Sequence, residues 1–242
     1  MITFKERGKG LRSMKEIKNI IFDWDNTLFP FKKYWETAHR KVFLDLIDFQ
    51  DEFSIDDFMA KYREVDEQLW PLVHEGKMTI EQLREERVRQ VLDYYAIHYK
   101  ENFVRLFFDI FLTALLEEIE VDQNLLSKML ELSQNYNIAI LSNGESGEQR
   151  EKIKRFGFEN LFPVYISAET GLTKPDQAAF YNILDKEGFD REATLMVGDL
   201  LEHDILPAQK LGLATAYIGH DDKEIADKTY ESIEDFLEDF LK

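Results

Sequence analysis

Apolar residues recur at helical spacing through the first half of the chain. Residues 31–141 contain one glycine, Gly76, and one proline, Pro71, so little in this stretch interrupts a helix. An apolar residue at every third or fourth position predicts an amphipathic helix. The first stripe of this kind comprises Tyr34, Trp35, Ala38, Val42, Leu46 and Phe49.

Polar residues predict where further helices of this region begin. Ser54 precedes a second apolar stripe, and Thr79 followed by Gln82 has the spacing of a capping box. A fourth helix is predicted over residues 103–118. The stripe after Ser54 comprises Phe58, Tyr62 and Leu69. We therefore expect an all-helical block over residues 31–118.

The second half of the chain has a different pattern, in which short apolar runs alternate with helical stretches. These runs cover residues 138–141, 164–166, 195–197 and 214–218, and an equivalent run at 20–22 precedes the helical block. Continuous apolar strands separated by helices are typical of a parallel sheet that is covered on both faces. The sequence therefore predicts an α/β fold, with a Rossmann-like core interrupted by a helical insertion.

The same pattern divides the chain into predicted domains. Residues 17–30 and 119–242 are expected to form the Rossmann-like core, and residues 31–118 the helical insertion. Residues 1–16 are expected to form a flexible N-terminal arm, of which the first thirteen residues are basic and polar. They contain no apolar segment of the kind found in signal peptides, so we expect no secretion signal.

Composition narrows the possible partners. The chain has 30 Lys and Arg against 48 Asp and Glu, a formal charge of −18, which disfavours nucleic acid and anionic membranes as partners. The absence of cysteine excludes disulfides, zinc–thiolate sites and cysteine nucleophiles. No apolar run approaches the length of a membrane span. We expect a cytoplasmic protein, and the sequence indicates no oligomeric state.

The run at 20–22 ends in two carboxylates, Asp23 and Asp25, separated by Trp24. In an extended chain, residues two apart project to the same side, so both carboxylates can face one point beyond the strand. Two carboxylates that close repel one another unless a cation or a shared proton intervenes. The pattern indicates a metal site, an acid–base pair or both, and a solvated turn is the alternative.

Further polar residues follow the other predicted strands. Ligands of open parallel sheets bind beyond the carboxyl ends of the strands, so residues at these positions can converge. They are Asp23, Asp25 and Thr27 after the first run, Ser142, Asn143 and Gly144 after the second, Lys174 after the third, and Gly198, Asp199 and Asp204 after the fourth.

These residue types suit phosphate chemistry. Asp23 and Asp199 offer hard oxygen ligands for Mg²⁺. Ser142, with the backbone amides that follow it, can bind phosphate oxygens, and Lys174 supplies a positive charge. Each feature has an ordinary structural alternative: Ser-Asn-Gly is a common turn, Lys174-Pro175 can simply begin a helix, and His203 is more easily a solvated neighbour of Asp204 than a base. The combination carries the argument.

Taken together, these motifs resemble the haloacid dehalogenase superfamily of hydrolases, in the subclass with a helical cap inserted after the first motif. The matching residues are Asp23-Trp24-Asp25-Asn26-Thr27, Ser142-Asn143, Lys174-Pro175, and Gly198-Asp199 with Asp204. The resemblance covers residues 17–220. The segments 69–70, 75–79 and 86–88 further resemble the cap of 5′-nucleotidases in this subclass. Leu200 departs from the family pattern, where many relatives carry a small polar residue.

The resemblance implies phosphoryl transfer by double displacement. Asp23 would be the nucleophile, Asp25 the acid and then the base, and Thr27 would help to place the first loop. Mg²⁺ would be bound by the Asp23 carboxylate, the main-chain carbonyl of Asp25 and Asp199, with Asp204 ligating through water or in support. The transferring group would be held by Ser142, Asn143 and Lys174.

The substrate is predicted less sharply than the reaction. The carboxylate of Asp25 favours phosphoesters over halides, because the dehalogenase branch of the family lacks it. A nucleoside monophosphate is the preferred small phosphorylated substrate, and sugar phosphates, phosphoglycolate-type acids, a phosphomutase activity and a non-enzymatic binding protein remain alternatives. Arg87 is expected to bind substrate or to pair with a cap carboxylate. Tyr34, Trp35 and Trp70 could stack on a base or fill the cap.

Overall fold

The structure is a computed structural model that describes residues 16–49, 53–220 and 225–242. The predicted N-terminal arm, apart from residue 16, lies outside the described residues. The chain divides into two compact units. One consists of residues 32–118, and the other consists of the segment ending at Phe31 and the segment that begins at residue 119. We call them the helical unit and the core unit.

The core unit is built on a parallel sheet, which confirms the predicted fold class. In the described part of the chain the sheet has six strands in the order β3-β2-β1-β4-β5-β6. Every pairing between neighbouring strands is parallel. The strands are β1 Asn19–Phe22, β2 Asn137–Ser142, β3 Val164–Ile166, β4 Thr194–Gly198, β5 Ala214–Ile218 and β6 Lys228–Tyr230.

In the part of the insertion that the structure describes, four helices precede those of the core unit along the chain. They are α1 Phe31–Leu46, α2 Ile55–His74, α3 Ile80–Tyr94 and α4 Glu101–Glu118. The helices that follow are α5 Gln123–Leu132, α6 Ser146–Arg155, α7 Ser167–Thr170, α8 Gln177–Glu187, α9 Leu206–Leu211 and α10 Ile233–Phe240. Among the described residues, no helix is both long enough and apolar enough to cross a lipid bilayer.

Both faces of the sheet are covered, as the apolar strands predict. On one face Ile21 and Met196 pack in a buried cluster with Phe180 and Ile183 of α8. On the other face the ring of Phe22 meets that of Phe236 of α10 edge-on, with centroids 5.6 Å apart. Because successive side chains of a strand point to opposite faces, a single strand serves both layers.

The helical unit has an aromatic core of its own. The ring of Phe43 on α1 lies 5.0 Å from Tyr62 on α2 and 4.9 Å from Phe107 on α4, measured between centroids. His39 is fully buried beside them, and its Nε2 lies 2.9 Å from the Tyr62 hydroxyl. Burial and then the charge of Arg87 lower the pKa of His39 well below its usual value.

Two residues lie outside the helices to which the sequence assigned them. Phe49 was assigned to the first apolar stripe, but α1 ends at Leu46 and Phe49 lies beyond it. Pro175 was expected to begin a helix, but α8 begins at Gln177. The side chain of Asp176 accepts a hydrogen bond from the Ala178 amide at 3.0 Å, so Asp176 is the N-cap and the proline precedes it.

Candidate active site

The sheet brings three of the predicted polar clusters together at the carboxyl ends of its strands. Asp23 follows β1, Ser142 ends β2 and Asp199 follows β4. Since β1 pairs with both β2 and β4, these positions are neighbours. The amide of Asp23 donates to the Val197 carbonyl at 2.9 Å, which extends the strand pairing up to the first carboxylate.

The turn after β1 is held by aromatic packing. Trp24, between the two aspartates, is fully buried and stacks on Phe29 with centroids 5.7 Å apart. Asn26 has a left-handed backbone, φ 64°, which asparagine adopts more readily than most residues. The amides of Thr27, Leu28 and Phe29 all donate to the Trp24 carbonyl. The anchored indole therefore fixes where the neighbouring carboxylates stand.

Lys174 joins two buried carboxylates. Its Nζ donates to Asp23 Oδ1 at 2.5 Å and to Asp204 Oδ1 at 2.7 Å. Lys174 and Asp204 are almost wholly buried, and Asp23 is 7% exposed. A buried cation between two buried anions offsets the cost of removing each charge from water.

Burial and charge act against each other in this cluster. Burial raises the pKa of Asp23 to about 6, while Lys174 opposes the rise and Asp204 adds to it. The nearby Thr27 hydroxyl also favours the ionised carboxylate. For Lys174, burial alone would lower the pKa, but the charges of Asp204 and Asp23 outweigh it, so the pKa lies above its ordinary value.

Three carboxylates of this cluster fit a metal ion. One oxygen each from Asp23, Asp199 and Asp204 lies within 4.8 Å of the others. Two of the three residues are buried and Asp199 is half-buried, so the oxygens are partly shielded from water. Hard carboxylate oxygens are the ligands that Mg²⁺ prefers in proteins. The residues present therefore fit the predicted cation.

Gly198 makes room for Asp204 in this cluster. A Cβ at Gly198 would stand 2.5 Å from the Asp204 carboxyl carbon. Asp204 Oδ2 in turn accepts a hydrogen bond from the Leu200 amide at 3.1 Å. The side chain of Leu200 is 51% exposed. The neighbouring His203 places Nδ1 3.2 Å from the Lys174 carbonyl oxygen.

Asp25 has a different set of partners. Lys152 Nζ donates to both carboxylate oxygens of Asp25, at 2.8 and 3.0 Å. Gln149 Nε2 donates to Asp25 Oδ2 at 2.8 Å and to Ser142 Oγ at 2.7 Å. Neither of these two α6 residues was predicted from the sequence. Their spacing of three on the helix that follows Ser142-Asn143-Gly144 could have indicated them, because it places both on one helix face.

Asn143 acts on the loop that carries Lys174. Its side-chain amide donates to the Lys174 carbonyl at 2.9 Å, and its Oδ1 accepts from the Lys174 amide at 3.0 Å. This pair of bonds ties the loop between α7 and α8 to the residue that follows β2. The Gly144 amide donates to Ser167 Oγ at 3.0 Å. The predicted binding of phosphate by Ser142 and the Asn143 amide stays a prediction.

Arg87 belongs to the helical unit. Its guanidinium donates to Asp66 and lies over the Tyr62 ring, 4.8 Å from the centroid. The Arg87 side chain is 7% exposed. This geometry favours pairing with a cap carboxylate, one of the two possibilities that the sequence left open. Of the aromatic residues considered for base stacking, Trp35 is half-buried beside His39, and Trp70 is 37% exposed.

Comparison with known proteins identifies the class to which this site belongs. The family model described as haloacid dehalogenase-like hydrolase matches residues 20–218. The pyrimidine 5′-nucleotidase YjjG of Escherichia coli is 31% identical over 208 residues, which cover 85% of this chain and 87% of the relative. The glyceraldehyde 3-phosphate phosphatase of Methanocaldococcus jannaschii is 26% identical, with 92% and 96% of the two chains covered.

A solved structure supports the same fold. The HAD-hydrolase YfnB from Bacillus subtilis, in a structure bound to magnesium, matches with a TM-score of 0.78 and 24% identity. The match covers 93% of this chain and 99% of that one. The match thus supports an α/β fold with a parallel core. The chain belongs to the haloacid dehalogenase-like hydrolase family.

Proposed function

We propose that this protein is a Mg²⁺-dependent phosphomonoester hydrolase that forms an aspartyl-phosphate on Asp23. The observation that carries the proposal is the meeting of Asp23, Asp199 and Asp204 within 4.8 Å, with Lys174 bonded to two of them. Such a cluster can place a phosphoryl group beside a carboxylate nucleophile while balancing its charge.

The reaction would proceed in two displacements. In the first, a carboxylate oxygen of Asp23 forms a bond to phosphorus as the bond to the leaving oxygen breaks, and Asp25 gives that oxygen a proton. In the second, Asp25 takes a proton from water as the water oxygen attacks phosphorus. The bond to Asp23 then breaks, which releases inorganic phosphate and restores the carboxylate.

The other groups would bind and orient the phosphoryl group. Lys174 and Ser142 would hold its oxygens, and the buried position of Lys174 strengthens its charge interactions. Mg²⁺, held by Asp23, Asp199, Asp204 and the Asp25 carbonyl, would neutralise charge on the phosphate. This local positive charge would let a protein of net charge −18 accept an anion.

Asp25 supports phosphoester over halide chemistry. A phosphoester leaves as an alkoxide that needs a proton, whereas a halide does not. The carboxylate of Asp25 lies at the same end of β1 as Asp23, with donors from Lys152 and Gln149 holding it. A small phosphorylated metabolite is therefore the proposed substrate class. The relatives named above favour a nucleoside monophosphate first and a sugar phosphate second.

The nucleophile is tested by Asp23→Asn with an aryl phosphate and Mg²⁺. We expect turnover to fall at least about a thousandfold, because an amide cannot form the acyl-phosphate. Asp185→Asn, an exposed position on α8, is the matched control and should keep full activity. Mass spectrometry of acid-quenched wild-type protein should show a phosphoryl group on Asp23. An Asn variant of normal activity would refute the assignment.

The substrate class is tested by a panel of nucleoside monophosphates, sugar phosphates and 2-haloacids. Phosphate release from nucleotides, lost on chelation and restored by Mg²⁺, is the expected result. Preference for sugar phosphates would favour the second candidate. Halide release without phosphate release would contradict the proposal.

A further inference from the structure

The side chains of Gln149 and Lys152 connect Asp25 to a buried face of α6. Both side chains are 1% exposed, although α6 is otherwise a polar helix. Lysine is rarely buried unless its ammonium has a partner, and here the partner is the carboxylate of Asp25. Burial of a polar side chain costs free energy that is not lost when the side chain is exposed. A function of these two residues at Asp25 would explain why they are buried.

The contacts of Lys152 fix the orientation of the Asp25 carboxylate. Its Nζ bonds both oxygens, so rotation of the carboxylate about its own axis would break at least one bond. The ammonium also lies 4.5 Å from the centre of the Phe31 ring and 3.4 Å from Glu148 Oε1. A cation over an aromatic ring is held in place by the negative face of the ring.

Gln149 links the same carboxylate to the end of β2. Its amide nitrogen has two hydrogens and three acceptors within 3.0 Å: Asp25 Oδ2, Ser142 Oγ and the Asn143 carbonyl. Movement of Asp25 would therefore change how Ser142 is held. Gly144 permits this approach, because a Cβ there would stand 2.8 Å from the Gln149 amide nitrogen, and its φ is 153°.

We propose that Lys152, assisted by Gln149, is the positioning residue that aims Asp25 for proton transfer to the leaving oxygen and from the attacking water. This inference rests on the proposed function, in which Asp25 is the acid and base. Lys152 need not touch the substrate. It acts through Asp25, by holding both carboxylate oxygens in one orientation against thermal rotation.

The proposal predicts an effect that depends on the leaving group. An alkyl phosphate needs a proton on its leaving oxygen, whereas a nitrophenyl phosphate leaves readily without one. Lys152→Met should lower kcat for an alkyl phosphate by about 10- to 100-fold. The same substitution should lower the rate at which the nitrophenyl ester phosphorylates Asp23 by less than about threefold. Lys154→Met, an exposed lysine on the same helix, is the control and should change neither.

A double-mutant comparison separates positioning from a purely structural role. Once Asp25→Asn has removed the carboxylate, adding Lys152→Met should cause no further loss of kcat, because Lys152 has nothing left to aim. Lys152→Arg should restore kcat for the alkyl ester to within about fivefold, since arginine keeps the charge and two donors. Thermal unfolding and far-UV circular dichroism verify that each variant is folded, and Lys152→Gln replaces the Met variant if it does not fold.

The outcomes distinguish this proposal from the one on which it rests. If Asp25→Asn hydrolyses alkyl phosphates normally, the proposed function fails. If Asp25→Asn lowers kcat for alkyl phosphates but retains measurable activity, two results overturn the positioning role alone: an equal loss with both esters in folded Lys152 variants, or a further loss on adding Lys152→Met to Asp25→Asn.

Discussion

Gly198 shows how the absence of one side chain sets the geometry of a charged cluster. Its Cα lies where any Cβ would overlap the carboxyl carbon and Oδ2 of Asp204, each at 2.5 Å. Asp204 is fully buried and bonded to Lys174, so it has little room to retreat. The last position of β4 therefore requires glycine, because a side chain there would collide with Asp204.

Gly198→Ala should displace Asp204 and weaken metal binding. We expect the free energy of unfolding to fall by about 1–3 kcal/mol, the usual cost of overpacking a close-packed site. Activity should fall with it, and more Mg²⁺ should be needed for half-maximal rate. Urea denaturation and Mg²⁺ titration of activity measure the two effects.

Gly147→Ala is the matched control for this substitution. Nothing lies within 4 Å of a Cβ built at Gly147, which is in the first turn of α6. Alanine there should leave activity unchanged and stabilise the helix slightly. Equal behaviour of the two variants would show that Asp204 tolerates displacement.

The individual residues that follow the strands could be predicted from the sequence, but the residues of α6 that contact them could not. The rule that ligands bind beyond parallel strands led to Asp23, Asp199 and Asp204, and the structure brings their oxygens together. Their catalytic and metal-binding roles remain proposals. Gln149 and Lys152 were missed because a helix rich in charge looks solvated. Their burial depends on tertiary contacts across more than 120 positions.

Two helices of the insertion, α2 and α3, begin at capping boxes. Ser54 and Thr79 each accept a hydrogen bond from the third residue of their helix. The side chains of Asp57 and Gln82 bond back to the cap amides in return. The start of α3 was predicted because this device is local and depends only on residues three apart.

Arg87 binds two helices of this unit together. It lies on α3, pairs with Asp66 on α2, and covers the Tyr62 ring of the same helix. Burial would lower the pKa of Arg87, but the neighbouring Tyr62 and Asp66 outweigh it and raise the pKa. The guanidinium therefore stays charged, and its loss would leave the Asp66 carboxylate without this ion pair.

Arg87→Met should destabilise the protein by about 3 kcal/mol, the cost of breaking a buried ion pair from one side. KM should change little in the protein that remains folded. Arg89→Met is the matched control on the same helix; its partner Glu101 is exposed, so stability should hardly change. Urea denaturation and steady-state kinetics provide both readouts. A large rise in KM at unchanged stability would instead favour substrate binding by Arg87.

Among the elements, long periodic ones were predictable and short ones were not. Five of the described strands correspond to apolar runs found in the sequence. The sixth, β6, has the three residues Lys-Thr-Tyr, which carry too little apolar character to indicate a strand. Its position at the edge of the sheet explains this, because an edge strand need not be buried.

For the whole molecule, the sheet order explains how distant motifs meet. β1 is flanked by β2 and β4, although these strands begin more than a hundred residues later. The predicted alternation of strands and helices implied a parallel sheet, yet it could not give this order. Strand order depends on which apolar faces pack best, and periodicity along one strand carries no information on its neighbours.

The central place of β1 has a consequence for how the chain folds. Asn19 bonds Thr194 across 175 positions, so β1 acquires this neighbour only after a very large loop closes. The contacts between α2 and α3 join residues close in sequence, and such contacts form sooner.

In pulse-labelled hydrogen exchange during refolding, we expect amides of α2 and α3 to be protected before those of Ile20, Ile21 and Phe22. Simultaneous or earlier protection of β1 would contradict this order. Of the described strands β1 is made first during synthesis, and it would wait unpaired until its neighbours β2 and β4, which begin at Asn137 and Thr194, have been synthesised.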